Sequence, residues 1–465
     1  MSFKKICSKA KLVPVLDKDY RPAVLENRAF LNAVKESGAG VPLVIALERA
    51  GGLISTYTTE VFAEDHEMAE ENFFYVERLV KALLWIKGGW KIIIGGPKSI
   101  GEYIQKAYAA GGIREFDAKF MSRVYEKPFT VEIIDAANVP TAKENAKAVG
   151  RHLDGCRIGF DAGGSDRKVS AVIDGEVVYS EEVVWHPKLQ ENPDYHYEGI
   201  LAAMKTAASK MPRVDAIGVS AAGIYINNRA MVASLFIKIP DDLFDQKVKD
   251  IFLNVAKEVG DVPVAVANDG DVAALAGAMC LKENNVLGVA MGTSEAVGYV
   301  DGNGNITGWL NELAFSPVDY NPDAMVDEWS GDFGVGCKYF SQDAVIKLAP
   351  AAGIELDESL SLAEKLKVVQ NLHKEGHQGA RQIFETIGIY FGYAIAYYAA
   401  FYDIQYLQIL GRVTSGKGGD LIIEGARKVL EVEFPELAEK IKLYVPDEYE
   451  RRVGQSIAAA SLPEL

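Results

Sequence analysis

The sequence predicts an α/β fold with two similar domains that face each other, preceded by an N-terminal α/β extension. From Cys156 onwards, buried strands alternate with helical segments, as in folds built on a central sheet. One unusual strand–turn–strand unit occurs twice, at Gly163 and again at Gly292. We therefore predict an extension over 1–150 and α/β domains over 151–280 and 281–445, with a C-terminal helix (446–465) packing back on the first domain.

The first copy of the repeated unit is "GFDAGGSDRKVSAVIDGEVVYS", which begins at Gly159. Its second half predicts a hairpin with the turn at Asp174-Gly175. The earlier turn, Gly163-Gly164-Ser165, is polar and open. Glycines let backbone N–H groups approach a ligand closely, and a serine adds a hydroxyl. A phosphate-holding turn is one interpretation, and an ordinary tight turn is the alternative.

The second copy has Gly292-Thr293-Ser294, followed by Val300-Asp301-Gly302. Each copy therefore has a strand that enters a glycine and hydroxyl turn and leaves toward an Asp-Gly pair. In two domains that face each other, the two turns could hold the two ends of one polyphosphate. This is a stronger argument for a phosphate site than either turn alone.

The composition is that of an ordinary globular protein. The chain has 465 residues, of which 49% are hydrophobic and 25% are charged, with a formal net charge of -16. A strongly acidic chain with scattered basic residues is not expected to bind nucleic acid. The N-terminus lacks the apolar region of a signal peptide, and the longest uncharged run, between Glu385 and Asp403, is short for a bilayer. We expect a cytoplasmic protein without a membrane segment.

Cysteine and histidine offer little metal chemistry. The four cysteines lie far apart without a CxxC pair, which indicates reduced thiols rather than a disulfide framework or a zinc site. His373 and His377 are four residues apart, a spacing that could bind a metal on one helix. Gly376 weakens that helix, so a solvated helix face is the favoured alternative.

The N-terminal extension carries its own α/β pattern. A strand is predicted from Pro42, an amphipathic helix from Ala69 to Ile86, and then strand, glycine turn and helix in "KIIIGGPKSIGEYIQKAYAAGG". The turn Gly95–Ser99 could be a phosphate loop, but it lacks P-loop spacing and Pro97 suits a helix start, which favours a structural turn. The polar stretch 138–155 predicts a helical connector to the next domain.

Four motifs, taken in order, resemble the ROK family (repressor, ORF, kinase) of the actin-like ATPase superfamily. They are "DAGGSDRK", "VANDGDVAALAGA", "AMGTSEAVGYV" and "ILGRVTSGKGG". The resemblance covers roughly residues 155 to 465, about two thirds of the chain, and leaves the first 150 residues unexplained. It implies two actin-like (ribonuclease H-like) domains with a central cleft that binds ATP, magnesium and a sugar.

The resemblance also implies roles for individual residues. Asp269 would be the general base, and Asn268 and Glu312 would bind the sugar. Asp161 would hold Mg²⁺ through water. The nucleotide-binding set would be Asp161, Gly163, Gly164, Ser165, Gly292, Thr293, Ser294, Gly411 and Gly416. A carboxylate at hydrogen-bond range is needed because a sugar hydroxyl is a poor nucleophile. An N-cap pair before a helix is the alternative interpretation of Asn268-Asp269.

Several positions depart from the family pattern. The histidine after the glutamate motif is absent, since the region reads Ala314-Phe315-Ser316, and the zinc cysteine cluster is missing, with only Cys337 nearby. We therefore expect no zinc. The resemblance implies that "ILGRVTSGKGG" is the loop that binds adenosine, and Leu410 and Arg412 stand where this loop usually has glycines.

The favoured hypothesis is an ATP-dependent kinase that phosphorylates a hydroxyl of a hexose or hexose derivative. A catalytically silent protein that senses a sugar or nucleotide is the second hypothesis, and a repressor is a weaker third, because the N-terminal block shows no helix-turn-helix and the chain is acidic. The expected partners are a small-molecule sugar and ATP, with no nucleic acid and no membrane, and a homodimer is left open.

Overall fold

The computed structural model describes residues 2–144, 149–446 and 454–465. Within these ranges, three larger sheets of four, five and four strands carry the fold, and each is built from a separate part of the chain. Short 3-10 turns and one π-helical segment complete the elements: Ala50–Gly52, Ala136–Asn138, Pro187–Leu189, Ser234–Phe236, Leu313–Phe315, Gly336–Lys338, and the π segment Phe244–Val248. No helix in the described part of the chain is both long and apolar enough to cross a bilayer.

The N-terminal block forms a four-stranded sheet with the order β2-β1-β3-β4. Strand β1 is antiparallel to β2 and β3, and β3 is parallel to β4. The elements are α1 (Ala23–Ser37), β1 (Gly40–Glu48), β2 (Ile54–Phe62), α2 (Glu71–Lys87), β3 (Lys91–Gly95), α3 (Lys98–Ala107), α4 (Glu115–Tyr125) and β4 (Thr130–Ile134). The predicted glycine turn before α3 is present, and Pro97 lies at its N-cap.

The helix predicted from Ala69 to Ile86 is present as α2, but it is buried on nearly every face and is not amphipathic as the sequence predicts. Its charged residues explain the error, because they lie in a buried ionic cluster. Arg78 Nη2 is 2.9 Å from Asp332 Oδ1, and Lys81 Nζ is 2.9 Å from Asp117 Oδ1. Arg114 joins the same cluster, with Nη1 3.0 Å from Asp332 Oδ2. Charges that would mark a solvated face are thus neutralised inside the protein.

The N-terminal block and the last third of the chain share one continuous hydrophobic core. Phe74 of α2 and Tyr320 pack edge to face with centroids 5.1 Å apart, and Trp85 packs on Phe315 at 4.3 Å. Asp332 brings a buried charge from the later segment into the cluster described above. The extension is therefore packed into the body of the protein.

The middle part of the chain forms a five-stranded sheet with the order β11-β8-β5-β6-β7. Strands β5, β6 and β7 are antiparallel neighbours, whereas β5, β8 and β11 are parallel. The elements are β5 (Cys156–Ala162), β6 (Asp166–Ile173), β7 (Glu176–Val184), α5 (Pro193–Ala208), β8 (Ala216–Ala221), β9 (Ile224–Ile226), β10 (Arg229–Val232), α6 (Asp241–Leu243), α7 (Ile251–Val259), β11 (Val264–Asn268) and α8 (Asp269–Leu281). The hairpin turn at Asp174-Gly175 is confirmed, with both residues at positive φ.

The last sheet has the order β13-β12-β14-β15. Strands β12 and β13 are antiparallel, and β12, β14 and β15 are parallel. The elements are β12 (Val286–Met291), β13 (Glu295–Val300), α9 (Gln342–Leu348), α10 (Leu362–Lys374), α11 (Gln378–Tyr398), β14 (Tyr406–Leu410), α12 (Lys417–Glu433), α13 (Pro435–Lys440), β15 (Lys442–Tyr444) and α14 (Gln455–Ala460). Strand order and direction match β6-β5-β8-β11, so the predicted repeat is a repeat of sheet topology. The counterpart of β7 is reduced to a single bridge between Val300 and Ile306.

Helix α14 lies directly on the five-stranded sheet. Two glycines allow this close approach, because a Cβ on Gly159 or Gly218 would lie 1.9 Å from Ser456 O or 1.6 Å from Ala459 O. Of the predicted C-terminal helix (446–465), the described part is α-helical over Gln455–Ala460, and residues 447–453 lie outside the described range.

Two other helix predictions need correction. The uncharged run between Glu385 and Asp403 suggests a helix from Thr386 to Tyr402, but helix α11 begins at Gln378 and ends at Tyr398, because its first turns are polar and lie before that run. The described parts of the predicted connector, 138–144 and 149–155, form no α-helix, and residues 145–148 lie outside the described range.

Candidate active site

The first glycine turn joins β5 to β6 and is closed by Trp185. The indole Nε1 of Trp185 donates to Gly163 O (2.8 Å), and its backbone N–H donates to Ser165 O (3.1 Å). A side chain at position 163 would meet Asp166 O at 2.7 Å, so this position requires glycine. Ser165 Oγ donates to Asp166 Oδ2 (3.0 Å). The two bonds from Trp185, which lies outside the turn, thus fix the conformation of its backbone.

Asp161 lies in β5 just before this turn and is almost fully buried. Its Oδ1 accepts a hydrogen bond from Ser220 Oγ (2.8 Å), the residue beside it in the parallel neighbour β8. Burial and the nearby Asp269 raise the pKa of Asp161 to about 6, against the opposing effects of the Ser220 hydrogen bond and Lys168. At pH 7 it is therefore mostly ionised, with one carboxylate oxygen beyond the serine bond. A single ionised carboxylate beside the first glycine turn fits Mg²⁺ held through water.

Asp269 is the first residue of α8, and the residue before it is the N-cap. Asn268 Oδ1 accepts from Gly270 N (2.7 Å), and Asn268 Nδ2 donates to Gly223 O (2.8 Å). The N-cap alternative is therefore observed for Asn268, whose amide is used by backbone at both ends, and its contact with a sugar stays a prediction. Asp269 Oδ1 accepts from Gly270 N at 3.0 Å, and burial raises the pKa of Asp269.

The start of α8 is fixed between the two similar domains. Gly270 and Gly298 let α8 lie against β13, since a Cβ on Gly298 would be 2.1 Å from Gly270 O. From the C-terminal helix, Gln455 Nε2 donates to Ser220 Oγ (3.0 Å) and to Asp269 O (3.3 Å). Elements from three distant parts of the chain thus set the position of Asp269.

Further carboxyl groups surround Asp269. Burial raises the pKa of Asp271 to about 7 and the pKa values of Glu295 and Glu312 to about 8. Asp269 and Asp271 add to the shift at Glu312, and Glu312 adds to the shift at Glu295. Near pH 7, Asp161 is therefore mostly ionised, whereas Glu295 and Glu312 are mostly protonated and can donate hydrogen bonds.

The N-terminal block holds Glu312 in this position. The carbonyls of Trp85 and Ile86, in the last turn of α2, accept from Glu312 N and Asn311 N, both at 3.0 Å. Asn311 has a positive φ of 54° and donates through Nδ2 to Asp271 Oδ1 (2.9 Å). Sequence reasoning missed Asn311, because a lone asparagine beside a glutamate carries no recognisable pattern; asparagine is nevertheless the residue type that tolerates this backbone conformation.

The second glycine turn and the loop that follows β14 are neighbours. Thr293 and Ser294 are exposed, and Gly292 N donates to Ser294 O (3.0 Å). Gly411 follows β14 with a φ of 101°, and a Cβ there would lie 2.2 Å from Met291 O. The predicted glycine is therefore required at 411. Gly416 also has a positive φ, of 69°, and precedes α12.

Lys188 is a cation near both the first glycine turn and Asp269. A Cβ on Gly164 would lie 3.4 Å from Lys188 Nζ, and Lys188 acts to lower the pKa of Asp269. The lysine is exposed on the short turn Pro187–Leu189. Sequence reasoning missed it, since its loop is connected to the glycine turn only through the fold.

A cavity of about 440 Å³ begins beside Asn268 and Asp271. Its opposite wall comes from the N-terminal block, including Arg49, Ala50 and Tyr125. The extension therefore contributes to the cleft that the two similar domains form.

The histidine pair does not form the helical metal site considered above. The chain turns at Gly376, with a φ of 89°, so His373 lies in the last turn of α10 and His377 caps α11 by accepting from Ala380 N (3.3 Å). Within the described residues, no group of three or more His, Cys, Asp or Glu side chains could hold a metal ion. The absence of zinc stays a prediction.

No protein-family model and no curated protein match the chain. Solved structures do. A ROK family glucokinase from Streptomyces griseus, in complex with glucose and AMPPNP, matches with 20% identity and a TM-score of 0.50, over 66% of this chain and 99% of that one. A ROK hexokinase from Thermus thermophilus matches with 19% identity and a TM-score of 0.52, over 66% and 97%.

A ROK family transcriptional regulator, a homologue of the E. coli MLC protein, also matches, with 17% identity and a TM-score of 0.50, over 66% of this chain and 78% of that one. These similarities confirm the predicted fold, the two-domain actin-like ATPase fold of ROK proteins. Because kinases and a regulator share it, the fold alone does not distinguish catalysis from sensing.

Proposed function

We propose that the chain is a ROK-like, ATP-dependent kinase that transfers a phosphoryl group to a hydroxyl of a hexose or hexose derivative. One observation carries the proposal. Asp161 lies just before the first glycine turn, Asp269 lies close enough to raise the pKa of Asp161, and Lys188 lies near both that turn and Asp269. Phosphoryl transfer needs this combination of a metal-holding carboxylate, a base and phosphate donors.

The nucleotide would extend from one glycine turn to the other. The turn Gly163–Ser165 would contact one side of the phosphates and the turn Gly292–Ser294 the other, with Lys188 neutralising charge. Gly411 and Gly416 would lie at the adenosine, next to the second turn. Magnesium would supply charge neutralisation for the phosphates, and Asp161 would hold it through water.

Asp269 would take the proton of the attacking hydroxyl. A general base is most effective when its pKa approaches the working pH, and burial moves the pKa of Asp269 upward in that direction. Hydrogen bonding from Gly270 N opposes this rise in pKa, because it favours the ionised carboxylate. The start of α8 adds a favourable dipole for that charge.

Glu312 would bind the acceptor as a protonated acid. With a pKa of about 8, this side chain can donate a hydrogen bond to a sugar oxygen at pH 7, whereas a carboxylate could only accept one. Asn268 is the other proposed sugar contact. Its amide would bind a hydroxyl through the acceptor and donor capacity that remains beyond its two backbone bonds.

Sensing without turnover is the second candidate function, and the state of Asn268 favours it. An amide engaged by Gly223 O and Gly270 N has less capacity to orient a hydroxyl toward Asp269. A protein that only senses a sugar or a nucleotide needs no such orientation.

A sugar screen with ATP and Mg²⁺, read as ADP release, tests the kinase against the sensor. Asp269→Asn keeps the shape of the side chain and removes the base, so turnover is expected to fall roughly 10²- to 10⁴-fold with little change in sugar binding. Calorimetry measures sugar binding to the native protein and to the variant. Equal ADP release from the native protein and the variant would contradict the role of Asp269, and sugar binding without any ADP release would favour the sensor.

A further inference from the structure

The cavity beside Asn268 has a larger volume than a single hexose would fill. It measures about 440 Å³ and reaches from the start of α8 to the N-terminal block. A hexose packed at the density of an organic crystal occupies roughly 200 Å³. After one ring is placed at Asn268, space of the order of a second ring is left against the N-terminal wall.

Arg49 marks that wall as a place for a ligand. The side chain lines the cavity, yet only 2% of the residue surface is exposed. Arg49 Nη1 donates to Gly308 O (3.1 Å), and Nη2 is paired with Glu144. Its Nε is buried without an acceptor among the described residues. A buried guanidinium N–H without a partner is costly, so a ligand oxygen that reaches Nε from the cavity would be bound favourably.

The charges around the cavity favour an uncharged ligand. Glu144 already neutralises Arg49, and the carboxyl group of Asp271 lines the same space. An anionic substituent would therefore meet a carboxyl group without gaining a free cation. The remaining wall includes Ile224, Tyr225 and Leu310, whose apolar and aromatic surfaces suit the carbon faces of a sugar ring.

We propose that this cavity is a subsite for the part of the acceptor beyond the phosphorylated ring, and that the preferred acceptor is an uncharged glycoside. The second sugar or aglycone would lie against Ala50 and Tyr125, with one of its oxygens accepting from Arg49 Nε. The inference rests on the proposed function only for the ring that lies at Asp269. The N-terminal block would then select the acceptor.

Calorimetry on the full chain tests the subsite without any need for turnover. The probes are glucose, mannose and galactose, with their methyl and p-nitrophenyl glycosides, and cellobiose, maltose and lactose. At least one glycoside is expected to bind 10-fold or more tightly than its free hexose. Ala50→Leu, which narrows the far wall, is expected to reduce that preference to less than threefold.

Ala109→Leu adds the same bulk at an exposed position of the same block and is the matched control, expected to keep the preference. Arg49→Lys removes Nε and keeps the positive charge, so it tests the proposed hydrogen bond from Nε to the ligand. Thermal unfolding of each variant shows whether it is folded. Equal binding of hexose and glycoside, a preference that survives Ala50→Leu, or no binding of any glycoside would overturn the subsite. A glycoside preference without ADP release would keep the subsite and contradict the kinase, whereas ADP release with free hexoses and no preference would do the reverse.

Discussion

Replacing Glu295 with glutamine is expected to stabilise the folded chain, and to do so most strongly at alkaline pH. Glu295 is 4% exposed; its Oε1 accepts from Tyr398 OH (3.1 Å), and its Oε2 is buried without a partner among the described residues. Burial, with a contribution from Glu312, raises its pKa to about 8. The native protein therefore keeps a proton that the unfolded chain loses near pH 4.5.

The sign and size of the effect follow from this difference. Between pH 4.5 and 8 the folded state binds more protons, so the free energy of unfolding falls as the pH rises and levels off above 8. At 1.36 kcal/mol per pH unit, Glu295 alone would cost at most about 5 kcal/mol at pH 9. Glutamine stays neutral and can still accept from Tyr398, so Glu295→Gln removes this cost.

Urea unfolding at pH 5, 7 and 9 measures the effect. We expect the variant to gain at least about 2 kcal/mol over the native protein between pH 5 and pH 9, less than half of the limit above, because Glu312 shares the shift. Glu358→Gln, on an exposed turn, is the matched control and is expected to follow the native curve. The reasoning fails if Glu295→Gln and the native protein lose stability in parallel.

Three further predictions concern the site. Glu312→Gln is expected to change sugar affinity less than threefold at pH 6.5, since an amide replaces a neutral acid, whereas Glu312→Leu weakens it about 10-fold or more. Above pH 8 native affinity should fall as the acid ionises while the Gln variant stays constant; parallel curves by calorimetry would count against a protonated Glu312. Lys188→Met is expected to lower kcat about 10- to 100-fold and Lys188→Arg to restore most of it, because the cation near Gly164 would neutralise phosphate charge; equal rates in steady-state ADP release would exclude this role. The apparent Mg²⁺ affinity should fall about tenfold per pH unit below pH 6 and change little above pH 7, as Asp161 protonates; magnesium titrations at pH 5 to 8 check this, and a flat profile would separate Asp161 from the metal.

The repeated strand–turn–strand unit could be predicted because its signals are local. A steric requirement of the backbone is met locally at three places: by glycine at 163, by glycine at 411 and by the Asp174-Gly175 turn. Parallel pairing of the strands that follow then brings Asp161 and Asp269 to the same edge of the sheet. Local rules and the repeat were therefore sufficient for the repeated unit, whereas the roles proposed for Asp161 and Asp269 came from the resemblance to the ROK family.

Lys188, Arg49 and Asn311 could not be found in this way. Each acquires its position from contacts far along the chain: Lys188 from the turn that Trp185 closes, Arg49 from Gly308 O, and Asn311 from the carbonyl of Ile86. Asn268 shows a different limit, because capping and sugar binding require the same residue type at the same helix position. Composition and spacing do not separate two uses of one amide.

The N-terminal block is the least predictable part of the molecule, and the site depends on it. Its helix α2 ends in the two carbonyls that hold Asn311 and Glu312, and its buried charges face Asp332 of the later segment. Removing the N-terminal block would leave Asp332 buried without Arg78 and Arg114, or it would expose the hydrophobic core that the block shares with the last third of the chain. Such a buried charge without partners is strongly destabilising. The block therefore belongs to the structural unit that holds the second half of the cleft, and any acceptor that reaches Glu312 also meets residues that this block positions.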